Sequence, residues 1–301
     1  MTAAPRPELP HDALWPRAGD WPAAASVHGD LDLALLGIPS HRTSLSATRA
    51  DTTPAAIRDA LRRYSPFAHG TDLELLTIAD AGDIDDPDGD EDAAREAVAD
   101  LAGRSRLLVA LGGDNAATVP AALGAWGSEL STAGLITLDA HYDLRDGRSN
   151  GSPVRRLVEA GLDGSRVVQI GIQDFANSRA YAERAADLGI TVVGRDELLR
   201  RPIDLVMSEA LELAGAAGGP VHLDVDVDVC DRSVAPGCPA STPGGIAAHE
   251  LSMAVRTAAR HPSLRSLDIV EVDAAADSPD GRTVRLAALC VLEAAAGLAA
   301  R

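Results

Sequence analysis

The chain has 301 residues, of which 46% are hydrophobic and 24% are charged, so it can bury a large core within one α/β domain. Its net charge of -18 and isoelectric point near 4.7 argue against nucleic acid or an anionic membrane surface as a partner, because either would repel such a protein. We therefore expect a single domain over residues 1–301, with residues 1–30 as an N-terminal extension.

Short strand-like runs alternate along the chain with Ala-rich segments of helical spacing. The predicted pairs, strand first, are 31–39 with 54–64, 105–113 with 116–126, 134–140 with 153–162, 165–172 with 178–189, 220–227 with 248–261, and 264–274 with 283–300. This alternation predicts parallel strands with helices on both faces of the sheet. The acidic segment 79–94 is predicted to be a solvated surface loop, since its spacing does not match a calcium-binding EF-hand loop.

The cysteines and the N-terminal segment indicate a cytoplasmic setting. Cys230, Cys238 and Cys290 are too few and too scattered for a disulfide scaffold, and no pair has the short spacing of a zinc knuckle. The first thirty residues lack the apolar core and basic start of an export signal, and no stretch approaches the apolar length of a membrane span. We expect a soluble, cytoplasmic protein.

Polar side chains collect where the predicted strands end, which is the edge of a parallel sheet at which ligands bind. In chain order they are Asp114 and Asn115, then Asp139, His141 and Asp143, then Asp224, Asp226, Asp228 and Asp231, and finally Glu271 and Asp273. A period of two places Asp139, His141 and Asp143 on one side of an extended segment. Several carboxylates in one crevice repel one another and raise one another's pKa unless a cation neutralises them, so we predict a polyvalent metal ion.

Each of these residues also has a simpler interpretation when it is considered alone. A single Asp-x-Asp pair commonly caps a helix or turn, and a single histidine is commonly a hydrogen-bonded structural residue. Taken together, mostly oxygen ligands with one imidazole suit a hard or borderline divalent ion such as Mn²⁺ better than the sulfur-rich sets that favour zinc. The candidates outnumber the ligands that one ion takes with water still bound, so two bridged ions are plausible.

The sequence resembles the ureohydrolase family, which includes arginase, agmatinase and formimidoylglutamase. The matching segments are LGGDNAAT (111–118), LDAHYDLRD (138–146), DVDVCDRSVAPG (226–237), STPGG (241–245), DIVEVDAAAD (268–277) and residues 37–58 near the start. The resemblance spans about residues 31–300. It implies a three-layer α/β/α sandwich with a mainly parallel eight-stranded sheet, two Mn²⁺ ions, and self-association as a trimer or hexamer.

When the functional residues of the family are matched to this sequence position by position, the resemblance implies a role for each residue of the predicted metal centre. One ion would be held by Asn115, Asp139, Asp143 and Asp226, and the other by Asp139, His141, Asp226 and Asp228. A hydroxide shared by the two ions would be the nucleophile, because metal coordination lowers the pKa of water from about 16 towards about 7. Asp143 would orient the hydroxide and later pass its proton to the departing amine, and Glu271 would face the cationic carbon–nitrogen group of the substrate.

Two positions depart from the family pattern. Asn115 stands where the family has a histidine ligand, and because an amide oxygen is a weaker donor for a borderline ion, we expect a looser first metal position. An alternative hypothesis is therefore that this protein is a catalytically silent, metal-binding relative, in which replacing Asn115 by His would restore Mn²⁺ binding. The second departure is Asn150 followed by Gly151, where arginases and agmatinases have a His-Gly pair whose histidine relays protons or contacts the substrate.

The second departure from the family pattern narrows the choice of substrate. A segment of the form S-x-G-[ST]-P (149–153) without that histidine, followed by residues 167–181, resembles the formimidoylglutamases, which hydrolyse N-formimidoyl-L-glutamate to L-glutamate and formamide in histidine degradation. The two carboxylates of that substrate need cationic or amide partners. The predicted substrate contacts are Asn150, Ser152, Arg155 and Glu271, with Arg156 and Arg49 as further candidates. Each of these arginines equally fits a surface position on an amphipathic helix. The alternative function is that of a hydrolase of another guanidino acid, which would release urea.

Overall fold

The computed structural model describes residues 9–301, and its centre is one sheet of eight strands in which every neighbouring pair is parallel. The strands in chain order are β1 (Leu31–Ile38), β2 (Ile78–Asp83), β3 (Ser105–Gly112), β4 (Gly134–Leu138), β5 (Val167–Ile172), β6 (Thr191–Gly194), β7 (Val221–Asp226) and β8 (Leu264–Val270). Their order across the sheet is β2-β1-β3-β8-β7-β4-β5-β6. The predicted α/β fold with a mainly parallel eight-stranded sheet is confirmed.

Helices cover both faces of this sheet. They are α1 (Thr53–Leu61), α2 (Glu91–Ala102), α3 (Thr118–Trp126), α4 (Pro153–Ala160), α5 (Arg179–Asp187), α6 (Ile203–Ala214), α7 (Ala248–Arg260) and α8 (Arg282–Leu298). Helices α1, α6, α7 and α8 share one apolar core with the sheet, and α2 to α5 pack on the opposite face. The alternation along β4 shows why both faces are apolar: Ile136 and Leu138 join the first core, whereas Leu135 joins the second.

The acidic segment 79–94 is not a single surface loop, so that prediction is wrong. Residues Ile78–Asp83 form edge strand β2, and α2 begins at Glu91, where Asp90 caps the helix by accepting a hydrogen bond from the backbone N–H of Ala93 at 3.0 Å. The sequence pattern also gave no indication of β6, α2 or α6. An edge strand pairs on one side only and is partly exposed, so β2 lacks the apolar run that identifies a central strand.

Part of the predicted N-terminal extension packs against the domain. Ala18 is fully buried and its backbone N–H donates to the carbonyl of Tyr64 at 2.9 Å, while the N–H of Asp80 donates to the carbonyl of Pro22 at 2.9 Å. Residues 1–8 of that extension lie outside the described residues. Within residues 9–301, no helix is both long enough and apolar enough to cross a membrane.

The four central strands carry the predicted site at their carboxyl ends. Asn115 follows β3, Glu271 follows β8, Asp226 ends β7, and Asp139 follows β4. The loops after β1 and β3 approach so closely that a Cβ at Gly113 would lie 1.9 Å from the carbonyl oxygen of Ser40. Only glycine permits that approach, which places the following residues at the centre of the sheet edge.

Candidate metal centre

The structure brings the predicted metal ligands together in two overlapping sets. Ligand atoms of Asp139, His141 and Asp228 lie within 4.8 Å of one another, and so do those of Asp139, Asp143 and Asp226. Asp139 belongs to both sets, and the four carboxylates are buried while His141 is partly exposed. This arrangement suits one or more cations between the ends of β4 and β7.

Backbone hydrogen bonds fix one oxygen of several of these carboxylates. The N–H of His141 donates to Oδ1 of Asp139 at 2.6 Å, the N–H of Ala140 to Oδ1 of Asp228 at 3.1 Å, and the N–H of Asp228 to Oδ1 of Asp226 at 2.8 Å. Oδ2 of Asp139 is buried and has no hydrogen-bond partner within residues 9–301. Because a buried carboxylate oxygen is rarely left without a partner, this atom together with the oxygen-rich donor set fits a hard or borderline divalent ion.

The backbone is strained at two of the predicted catalytic residues. Asp143 has φ of 52° and Glu271 has φ of 60°, which is the left-handed region that residues with a side chain rarely occupy. Such strain typically persists only where the surrounding structure enforces it, and it concentrates at functional sites. The strained backbone supports a functional role for both residues independently of their sequence motifs.

Without a cation, the carboxylates perturb one another strongly. Burial and the charge of Asp228 raise the pKa of Asp139 to about 7. Burial also raises the pKa values of Asp143, where Asp139 adds to the effect, and of Asp226, where Asp228 does. Burial opposes the charged form of His141, but the nearby Asp228 and Asp139 carboxylates outweigh it and raise the pKa of His141 to about 12. A metal ion must therefore displace protons when it binds.

The metal-free protein is expected to become less stable as the pH rises from about 5 to about 8. Because the pKa of Asp139 is raised to about 7, its carboxyl group holds more protons in the folded than in the unfolded state between about pH 4 and 7, which makes stability fall with pH. The raised pKa values of Asp143 and Asp226 act in the same direction. The raised pKa of His141 acts in the same direction above about pH 6.5. Stabilisation by Mn²⁺ should increase over the same range. Melting temperatures of EDTA-treated and Mn²⁺-saturated protein test this, and a metal-free melting temperature that rises with pH would contradict it.

Asn115 lies beside the carboxylates at the place predicted for a ligand. Its Nδ2 donates to Oδ2 of Asp143 at 2.7 Å and to Oδ2 of Asp226 at 3.1 Å, and its Oδ1 accepts from the hydroxyl of Thr118 at 2.5 Å. A half-turn of the amide would present Oδ1 to a cation instead. The Thr118 hydroxyl can either donate or accept, so it supports both orientations. This role of Thr118 was not predicted from the sequence.

Glu271 is held by two donors that leave one of its oxygens for a ligand. Oε1 accepts from the backbone N–H of Asn115 at 2.8 Å and from Nδ2 of Asn150 at 2.7 Å. Oδ1 of Asn150 in turn accepts from the N–H of Leu45 at 2.9 Å. Asn150, which occupies the position of the family's histidine, therefore orients the Glu271 carboxylate, and within residues 9–301 no hydrogen bond occupies Oε2.

A cavity of about 350 Å³ opens above these groups. Its lining includes Leu45, His141, Asp143, Arg145, Asn150, Phe175, Asn177, Tyr181, Asp226, Asp228 and Glu271. Its size lies within the range of small-molecule sites. The lining carboxylates are buried, whereas Leu45, Arg145 and Phe175 are exposed, so the acidic groups lie deep in the cavity and Arg145 lies near its opening.

Two predicted substrate contacts, Ser152 and Arg155, do not line this cavity. Ser152 is fully buried, and its hydroxyl donates to the carbonyl of Ser149 at 2.8 Å and accepts from the N–H of the same residue at 3.0 Å. Arg155 binds the carbonyls of Arg145, at 2.6 Å, and Gly147. Both side chains satisfy polar groups of the loop after β4, so we assign them to the loop rather than to the substrate.

The two further arginine candidates are also engaged elsewhere. Arg156 pairs with Glu91, with Nη1 3.0 Å from Oε2, and Arg49 pairs with Asp51, with Nε 3.0 Å from Oδ1. Neither arginine lines the cavity. Their guanidinium groups therefore stabilise the surrounding surface.

Arg145 is the cationic residue that the sequence analysis missed. It lines the cavity and is exposed, and its guanidinium makes no hydrogen bond or ion pair within residues 9–301. Its backbone N–H donates to the carbonyl of Gly151 at 3.0 Å, which fixes the start of the side chain. The only sequence signal was its position two residues after Asp143.

Comparison with known proteins identifies the family to which this chain belongs. A model of the arginase family matches residues 31–297, and the chain belongs to this family and is a hydrolase. It is 34% identical to the formimidoylglutamase of Halalkalibacterium halodurans over 271 residues, which cover 86% of this chain and 84% of the relative.

Solved structures are similar over nearly the whole chain. The crystal structure of formimidoylglutamase from Bacillus subtilis matches with a TM-score of 0.90 at 29% identity, covering 99% of this chain and 96% of that one. Trypanosoma cruzi formiminoglutamase, solved with Mn²⁺, matches with a TM-score of 0.82 at 24% identity over 92% of this chain and 97% of that one, which is a similarity of fold.

Proposed function

We propose that this enzyme is a manganese-dependent formimidoylglutamase, which hydrolyses N-formimidoyl-L-glutamate to L-glutamate and formamide in histidine degradation. The observation that carries the proposal is the charge arrangement of the cavity, with Glu271 on an acidic floor and the unpaired Arg145 at the opening. The substrate has complementary groups, a cationic amidine on its α-nitrogen, one carboxylate on the adjacent α-carbon and a second at the far end of its side chain. The similarity to two formimidoylglutamases supports the same substrate.

Two Mn²⁺ ions would be held by the residues of the two overlapping sets. Asn115, Asp139, Asp143 and Asp226 would hold one, and Asp139, His141, Asp226 and Asp228 the other. Bound manganese supplies Lewis-acid chemistry, which lowers the pKa of a coordinated water molecule. The protein's own groups bind and orient the amidine and move the protons.

Asp143 would carry the proton that hydrolysis transfers. Its buried carboxylate has a ligand atom within 4.8 Å of those of Asp139 and Asp226, next to the position at which a metal would activate water. It would take a proton from the attacking water and deliver it to the glutamate nitrogen as the carbon–nitrogen bond breaks. Nδ2 of Asn115 donates to Oδ2 of this carboxylate at 2.7 Å, and the half-turn that would present Oδ1 of Asn115 to manganese would release that oxygen.

Glu271 would bind the amidine. Its Oε2 faces no protein donor within residues 9–301, and Asn150 and Asn115 prevent the carboxylate from rotating. A fixed carboxylate forms charge-assisted hydrogen bonds with a planar cation, and holding the amidine still keeps its carbon in position for attack.

Replacing Arg145 by glutamine is expected to raise KM for N-formimidoyl-L-glutamate roughly tenfold with little change in kcat. The loss corresponds to about 1.4 kcal/mol, between the values for exposed ion pairs and for buried charged hydrogen bonds. Steady-state kinetics measure it. Arg265→Gln is the matched control, since Arg265 is exposed near the start of β8, at the opposite end of that strand from the site. An equal effect of both substitutions would argue against Arg145 as a substrate contact.

A substrate panel tests the proposal. Mn²⁺-reconstituted protein is incubated with N-formimidoyl-L-glutamate, guanidinobutyrate, guanidinopropionate, agmatine and arginine, while glutamate, formamide and urea are all measured. We expect glutamate and formamide in equal amounts and the highest kcat/KM for the formimidoyl substrate. Faster urea release from a guanidino acid would overturn the proposal in favour of the alternative hydrolase, and turnover of none would indicate a silent relative.

Asn115→His is expected to tighten Mn²⁺ binding at the first position on the order of tenfold, at the lower end of what changes around metal ligands produce. The imidazole is a stronger donor than the amide for a borderline ion. Isothermal titration calorimetry and electron paramagnetic resonance measure affinity and stoichiometry. Asn115→Ala, which removes the donor, should weaken binding. Equal affinities in all three proteins would show that residue 115 is not a ligand.

A further inference from the structure

A strip of polar side chains crosses the sheet beneath the metal centre, on the face that α3 covers. The strip comprises Gln169 of β5, Thr137 of β4, His222 and Asp224 of β7, and Ser266 and Asp268 of β8. All are buried, with exposed fractions of 0% to 1%. On this face the strip separates two apolar clusters, one containing Leu108 and the other containing Leu135 and Trp126.

Four of these side chains form a row of direct neighbours. Strand register pairs Gln169 with Thr137, Thr137 with Asp224, and Asp224 with Asp268. Neighbouring strands lie about 4.8 Å apart, and residues in register project to the same face. The row therefore places the four side chains next to one another in the buried space between the sheet and α3.

Five oxygen atoms of this row have no hydrogen-bond partner in the described part of the chain. They are Oε1 of Gln169, Oγ1 of Thr137, Oδ1 and Oδ2 of Asp224, and Oδ1 of Asp268. The other polar atoms of the strip are satisfied: Nε2 of Gln169 donates to the carbonyl of Tyr142 at 2.9 Å, and the His222 ring lies 3.1 Å from Oδ2 of Asp268 and 2.7 Å from Oγ of Ser266. Buried polar atoms without partners are rare, so a concentration of five oxygens in one row points to a bound species.

The chemistry of these atoms identifies the class of that species. All five are oxygens from carboxylate, amide and hydroxyl groups, which is the donor set of hard cations. The five oxygens are also fewer than the roughly six to eight that a calcium ion takes. A magnesium ion keeps several of its waters, which a fully buried row of side chains does not favour.

We propose that this row binds a monovalent cation, sodium or potassium, between β4, β7 and β8. The proposed site is separate from the manganese centre, because its side chains belong to the preceding inward-facing positions of the same strands: Thr137 is two residues before Asp139, and Asp224 is two residues before Asp226. The cation links β4, β7 and β8, the strands that lead to Asp139, Asp226 and Glu271.

Thermal unfolding of the Mn²⁺-saturated protein tests the site without any substrate. Chloride salts of potassium, sodium and choline are compared at equal ionic strength, so that general screening is the same in all three. We expect a melting temperature several degrees higher in potassium or sodium than in choline, with a saturable dependence on concentration. Rubidium and thallium soaks of crystals should give an anomalous peak between the side chains of Asp224 and Asp268.

Three variants test whether the cation-dependent shift in melting temperature arises at the row. Asp224→Asn and Thr137→Val should remove the cation-dependent shift and the anomalous peak. Ser252→Ala is the matched control, because the Ser252 hydroxyl is also buried without a partner but lies in α7, outside the row, so this variant should keep both. Thr137→Val changes no charge and preserves a β-branched shape, and therefore keeps the test informative if Asp224→Asn does not fold.

The proposal fails if the melting temperature is the same in all three salts and no anomalous peak is found, because water or a shared proton would then satisfy the row. A manganese anomalous signal at the row would also overturn it, since the site would then be divalent. These readouts do not involve turnover, so their result is independent of the outcome of the substrate panel.

Discussion

Asp139→Asn is expected to abolish high-affinity Mn²⁺ binding and to lower kcat/KM by on the order of 10³-fold or more, equivalent to about 4 kcal/mol of lost transition-state stabilisation. Asp139 is the residue shared by the two ligand sets, and its Oδ2 is the buried oxygen without a hydrogen-bond partner. The substitution therefore removes a charge that both ions would share. Calorimetric titration with Mn²⁺ and steady-state kinetics measure the two losses.

The same substitution should stabilise the metal-free protein. Burial and the charge of Asp228 disfavour the ionised form of Asp139 and raise its pKa to about 7, so a neutral amide relieves repulsion at pH 8. We expect the melting temperature of the EDTA-treated variant to rise by a few degrees while its Mn²⁺-induced shift disappears. Asp187→Asn, an exposed substitution at the end of α5, is the control and should change neither quantity. A variant that is destabilised without metal, or that still binds two ions, would contradict our interpretation of the cluster.

Glu271→Gln is expected to lower kcat/KM by on the order of 10²- to 10³-fold, the range found when one donor that stabilises transition-state charge is removed. The carboxylate would lose its charge opposite the amidine, and the Gln amide would place a donor where a cation should bind. Glu271 belongs to neither ligand set, so Mn²⁺ stoichiometry should stay unchanged.

Asn150→Ala is a milder change at the same contact and is compared with Glu271→Gln. It leaves the charge of Glu271 but removes the donor 2.7 Å from Oε1, so its effect on kcat/KM should have the same direction and a smaller size. Kinetics and Mn²⁺ titration of both variants distinguish substrate binding from metal loss. Activity of Glu271→Gln within twofold of the parent would exclude Glu271 as the amidine partner.

The central strands were predictable because they are buried on both faces. Runs such as 105–113 and 134–140 are mostly apolar, and β3 and β4 lie within them. The edge strands β2 and β6 were not identified from the sequence pattern, since their exposed positions break the apolar run and β6 has only four residues. The expectation of eight strands came from the resemblance to a family, because the periodicity of the sequence did not reveal the edge strands.

The metal ligands were predictable for a similar reason. A period of two along a strand fixes which side chains share a side, and parallel strands bring their carboxyl ends to one edge, so Asp139 and Asp226 could be expected to meet. Which ions they hold is still a prediction. The substrate side depends on the loop between β4 and α4, where no period fixes the direction of a side chain. Ser152 at the end of this loop and Arg155 in the first turn of α4 bond to the loop, whereas Arg145 lines the cavity.

Strand β8 lies between β3 and β7 although it is the last strand along the chain. The half-sheets β2-β1-β3 and β7-β4-β5-β6 therefore have no common edge until residues 264–270 insert between them. Pairings of such large sequence separation form slowly. A chain still being synthesised can place Asp139 beside Asp226 on one half-sheet, but Asn115 and Glu271 join them only when the final strand arrives. Acquisition of catalytic competence should accordingly coincide with completion of folding, and shortened translation products should be inert.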